Sequence, residues 1–174
     1  MFRHSFTPLA FAIAFAPIAA PAADAHVRLG PPWISIELPA NPLDPTTKGA
    51  FLVVRTYHHD KTMPMALEGR AEGIVNGERR SVPLTFDNTS ADNAKAVRKT
   101  WPSEGAWVLV ITGNPGPGSV TALVSIAEGG EVRQVRVPSR TVENGRWTVP
   151  VQVSSADVET ALRALTSSTS LGAR

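Results

Sequence analysis

Trp101-Pro-Ser-Glu-Gly-Ala-Trp-Val-Leu-Val-Ile-Thr-Gly113 opens on a turn, Pro102 to Gly105, then runs through large apolar and β-branched residues until Gly113 and Pro115 stop it. A run of this composition bounded by turn formers predicts a central strand buried on both faces. Working outward, Ile34, Ile36 and Leu38 alternate with Ser35 and Glu37, which predicts a half-buried strand from Trp33 to Leu38. Gly49 to Tyr57 reads as a second, mostly apolar strand that runs out into His58-His59-Asp60-Lys61-Thr62-Met63-Pro64-Met65. Asn76-Gly77 is the sharpest hairpin signal and predicts a hairpin over Ala66 to Phe86, with Pro83 placing the return strand at an edge. Ala94 to Thr100 reads as a short polar strand leading to the central stretch.

Downstream, Asn114-Pro-Gly-Pro-Gly118 is a rigid turn. Val120 to Ile126 and Val132 to Val137 pair around Gly129-Gly130, and Trp147 to Val153 follows Asn144-Gly145 as a last strand. The period then changes. Ser154 or Ser155 can cap a helix with Val158, Leu162 and Leu165 along one stripe, leaving Thr166 to Arg174 as a polar, flexible tail. About eight or nine short strands with one terminal helix predict an all-β fold, an antiparallel immunoglobulin-like β-sandwich, with a β-barrel as the alternative. Trp33, Trp107 and Trp147 are the expected aromatic core.

The composition, 43% hydrophobic and 18% charged, is that of a globular chain, and 174 residues suffice for one domain with a real core. The formal charge of +2 is spread over scattered basic residues, which argues against a nucleic-acid surface. With no cysteine, disulfides, thiolate metal sites and cysteine nucleophiles are excluded together. Residues 1–25 read as a secretory signal peptide: Arg3 and His4 form the basic end, Leu9 to Ala20 is apolar, and small residues follow. The expectation is a mature β-sandwich domain over residues 26–165 with its helix, periplasmic or secreted from a bacterium, with no membrane span after processing.

The export signal, the sandwich pattern and Glu104-Gly105-Ala106-Trp107 at the start of the central strand resemble bacterial YtkA-like and CopC-like domains over residues 33 to 112. The resemblance implies the immunoglobulin-like fold. Residue chemistry adds a candidate site. His26, His58 and His59 are the histidines of the expected mature chain, with Met63 and Met65 close behind, and imidazole suits Cu(II) while thioether suits Cu(I). Cleavage after Ala25 would make His26 the first residue, so that its amine and ring with His58 or His59 would resemble the histidine brace of copper-binding β-sandwich proteins. Cleavage after Ala23 would instead expose Asp24-Ala25-His26, similar to an amino-terminal copper and nickel motif, and cleavage after Ala22 would spoil both.

Against this stands a plain structural reading. If His58 and His59 continue the strand, their side chains point to opposite faces and only one can join a site, with Met63 and Met65 packing beneath the loop. Enzymatic chemistry ranks last, as a hydrolase using His59-Asp60 and a serine, because no Gly-x-Ser-x-Gly elbow is present. The sequence thus predicts an exported, non-enzymatic binding module without a cofactor, acting on a partner in the envelope. Its exposed edge at Pro83 or its His58–Met65 loop would form the contact. The alternative is a periplasmic copper-binding protein.

Overall fold

The computed structural model describes residues 30–171 apart from 39, 115 and 143–146. The signal segment, His26 and the Asn144-Gly145 turn lie outside the described residues. In chain order the strands are β1 (Trp33–Glu37), β2 (Leu52–His58), β3 (Lys61–Thr62), β4 (Leu67–Val75), β5 (Glu78–Pro83), β6 (Phe86–Asn88), β7 (Ala94–Val97), β8 (Ala106–Gly113), β9 (Val120–Ile126), β10 (Val132–Arg136), β11 (Ser139–Val142) and β12 (Trp147–Pro150), followed by α1 (Ser155–Leu171). One sheet has the order β1-β2-β7-β6, with β3 also on β2; the other runs β10-β9-β8-β4-β5; β11 and β12 form a separate ribbon. The described pairings are antiparallel. The protein is therefore mostly antiparallel sheet with one C-terminal helix, as expected of an all-β chain. None of its described helices is long and apolar enough to cross a membrane.

β8 is buried on both faces, as its composition predicts. Trp107, Leu109 and Ile111 point into a cluster shared with Ile34, Leu52, Val54 and Val97 of the first sheet. Ala106, Val108 and Val110 point the other way, into a second cluster with Leu123 and with Val158, Leu162 and Leu165 of the helix. The strand lies between two apolar layers because its alternate residues on both sides are apolar, a pattern that excludes a solvated face. The helix closes the outer layer. Its start is a reciprocal cap: Ser154 N–H donates to Asp157 Oδ2 at 2.8 Å, and Asp157 N–H donates to Ser154 Oγ at 3.3 Å.

Several expectations are corrected. Trp33 is only partly buried and stands outside the shared cluster, whereas Trp101, 4% exposed, is inside it. Trp101 meets Phe51 edge to face at 5.1 Å. The side chain of Trp147 lies outside those described. The segment read as a polar strand is interior: β7 runs between β2 and β6 and buries Ala94, Ala96 and Val97, small residues whose burial a hydrophobicity pattern understates. The hairpin at Asn76-Gly77 forms, but its return strand ends at Pro83, and Phe86 begins β6 in the other sheet. Pro83 does lie on an edge, since among the described strands β5 pairs only with β4.

The outer side of β4 is tied to the helix by charge. Glu72, 8% exposed, accepts from Arg70 Nε at 2.6 Å, Arg79 Nε at 3.0 Å and Ser81 Oγ at 3.0 Å, and Arg79 also pairs with Glu159 of α1. Burial alone would push the Glu72 carboxyl up, but the donors from Arg70, Arg79 and Ser81 outweigh it and hold the group below its ordinary value. A carboxyl depressed in the folded state stabilises fully above its unfolded pKa, ordinarily 4.5, and that stability is lost as pH falls through the folded value. Glu72→Gln is therefore expected to cost about 2 kcal/mol at pH 7, with the difference from the parent shrinking below pH 4.5. Urea midpoints of both proteins across pH 3 to 7 check this; a pH-independent gap would mean that the charge is immaterial.

Candidate metal-binding hairpin tip

β2 ends at His58, and the chain reverses over two residues, with His58 paired to Lys61 and Tyr57 to Thr62. His59 and Asp60 have φ of 54° and 60°, the signature of a type I′ turn. Asp, Asn and His are the non-glycine residues most at ease there. The expectation that His58 and His59 diverge assumed a continuing strand. The turn overturns that geometry, and the two imidazoles stack with centroids 3.9 Å apart and planes 28° from parallel.

Lone pairs on imidazole lie in the ring plane, and metal–nitrogen bonds are about 2.0–2.1 Å. Two rings stacked so nearly parallel aim their lone pairs side by side, so the stack offers one nitrogen per ion. For both imidazoles to hold the same ion, one ring would have to turn about its side-chain bonds out of this stack. The structure also separates the two methionines. Met65 is partly buried against the shared core, with its sulfur 3.5 Å from where a Cβ on Gly113 would lie. Met63 is 46% exposed just after β3. Its backbone is held by Met63 N–H donating to Thr56 O at 3.0 Å and by Thr56 Oγ donating to Met63 O. Of the two thioethers, Met63 is the one open to solvent.

Among the described residues no three histidine, aspartate or glutamate side chains are grouped to hold a metal ion, so His58 and His59 need a further donor. His26 lies outside the described residues. Gly30 lies against the turn, where a Cβ on it would be 3.8 Å from His59 Cα and 3.9 Å from an Asp60 carboxylate oxygen.

Sequence reasoning missed Asp60 as a turn residue. The signal was present in an Asx residue between the β-prone segments around Tyr57 and Thr62, but it lacks the glycine that marks the turn at Asn76-Gly77. In comparisons with known proteins, no family model, no curated protein and no solved structure matches the chain.

Proposed function

We propose that this chain is an exported, non-enzymatic, immunoglobulin-like β-sandwich of the bacterial envelope that binds copper at its β2–β3 hairpin tip. The observation that carries the reading is the contact of the His58 and His59 rings at one tight turn, with Gly30 seated against it. His58 and His59 would supply imidazole nitrogens, Met63 a thioether, and His26 the nitrogen that completes the set. Imidazoles suit Cu(II), and a thioether beside them suits Cu(I), so the donor types fit this metal better than magnesium or calcium, which take oxygen ligands.

The test is a Cu(II) titration of natively secreted protein whose N-terminus is established by intact mass. The expected result is one equivalent bound, weakened by at least about tenfold (1.4 kcal/mol) in His58→Ala and in His59→Ala. Loss of binding in His26→Ala places that residue in the site; retention leaves the ion on the hairpin residues. Protein that begins at His26 and binds no copper would overturn the reading. The remaining function would then be contact with a protein partner in the envelope.

A further inference from the structure

The outer face of the first sheet holds a second feature, away from the hairpin tip. Leu52 and Val54 point into the shared core, so Val53 points outward, yet it is only 2% exposed. Between the loop from Asn41 to Thr47 and residues 89–91 lies a hollow of ≈ 340 Å³ with Val53 in its lining. That volume is within the roughly 300–1,000 Å³ of ordinary small-molecule sites.

Both walls are built in advance. Asn41 Oδ1 accepts from Leu43 N–H at 3.0 Å, and Thr47 Oγ donates to the Asn41 carbonyl at 2.6 Å. Asp44 Oδ1 accepts from Thr46 N–H at 2.9 Å. Across the gap, Ser90 N–H donates to Thr46 Oγ at 2.9 Å and Ser90 Oγ donates to Asp44 Oδ2 at 2.7 Å. A ligand entering here orders little of the protein, which removes much of the usual entropic penalty of binding.

The charges are arranged with donors and acceptors left over. Arg55 Nε donates to Glu37 Oε2 at 3.2 Å. Among the described residues, the two terminal amino groups of Arg55 and Oε1 of Glu37 have no partner, and both side chains line the hollow. Asp44 also lines it and stays ionised: the hydrogen bonds from Thr46 and Ser90, then the nearby charge of Arg55, hold its carboxyl below the ordinary value. The hollow therefore presents one guanidinium fork and two carboxylates beside the exposed apolar side chain of Leu43. A simple anion would meet the carboxylates, and a simple cation would meet the guanidinium.

We propose that this hollow binds a free α-amino acid with a short apolar side chain. Its carboxylate is taken by the Arg55 fork, its ammonium by Glu37 and Asp44, and its side chain packs against Leu43. Arg is suited to this because its parallel N–H groups match a carboxylate in two-point contact. Leu43, 89% exposed in the free protein, then has an apolar surface to cover.

The experiment is an amide NMR titration of the whole protein with L-valine, and with isobutylamine and isovalerate, which each keep one half of its charge. The expected result is saturable shifts at Thr46, Val53 and Ser90 with L-valine, at least about tenfold tighter than with either half molecule. Arg55→Gln and Glu37→Gln should each weaken L-valine by about tenfold or more with the remaining spectrum unchanged. Absence of saturation up to about 20 mM, equal binding by a half molecule, or undiminished binding by a folded Arg55→Gln protein would overturn the proposal. Should Arg55→Gln fail to fold, the comparison of the three ligands on the parent protein decides.

Discussion

Gly73→Ala is expected to destabilise the protein by about 3 kcal/mol, an unusually large effect for one added methyl group. Gly73 stands directly opposite Trp107 in the β4–β8 ladder, and the indole lies across it. A Cβ on Gly73 would sit 2.4 Å from Cε3, 2.5 Å from Cδ2 and 2.8 Å from Cζ3 of that ring. The ring cannot step aside, because Trp107 is 1% exposed and its Nε1–H is bonded to the Glu104 carbonyl at 2.8 Å. Urea unfolding followed by circular dichroism measures the loss. Trp107→Leu alone should also be costly, but the double variant should lose less than the sum, since the smaller side chain removes the clash. A Gly73→Ala protein within about 0.5 kcal/mol of the parent would show that the indole is free to move.

Leu162→Asp should be at least as damaging, at about 4 kcal/mol or more. Leu162 is fully buried where α1 covers Val108, Val110 and Leu123, so an aspartate there is either an unpaired buried charge or the lever that lifts the helix. Lifting it would bare the outer face of β8 and its neighbours, an apolar surface that invites association. By contrast Glu159→Gln, at a half-exposed position on the same helix, should cost no more than about 1 kcal/mol. Faster proteolysis near Val151 to Ser154 in Leu162→Asp, together with a lower urea midpoint, is the expected pair of results. An unchanged midpoint would mean that the helix is not part of the cooperative unit.

The legible parts of this fold were those in which one local pattern decides the outcome. β8 was readable because its apolar run admits only burial on both faces, and the start of the helix because its stripe and cap agree. The end of the helix was not, since α1 continues to Leu171 through residues expected to form a tail. β6, β7 and β11 were less readable. Alanine-rich β7 is buried by its place between two strands, and β6 is defined by a change of sheet after Pro83, neither of which is a property of a short window. At the candidate site the residue types were visible in the sequence, while their arrangement was not. Whether His58 and His59 diverge or stack depends on one turn, and whether Met63 or Met65 faces solvent depends on where the second sheet begins. The Glu37–Arg55 pair was hidden for the same reason, since strand register brings its members together across 18 positions of sequence.

Among the described residues the same tight reversal occurs at Asn76-Gly77 and at His59-Asp60, with different residues. At Asn76-Gly77, φ values of 52° and 82° fall on the pair best able to adopt them. At His59-Asp60, nearly the same backbone is imposed on a residue with a full side chain, at a conformational cost of about 1–2 kcal/mol. Exchanging the second pair for Asn-Gly should therefore make the hairpin firmer while deleting the imidazole that completes the stack. At this one turn the residues that would hold the proposed ion are not the ones that would make the hairpin most durable.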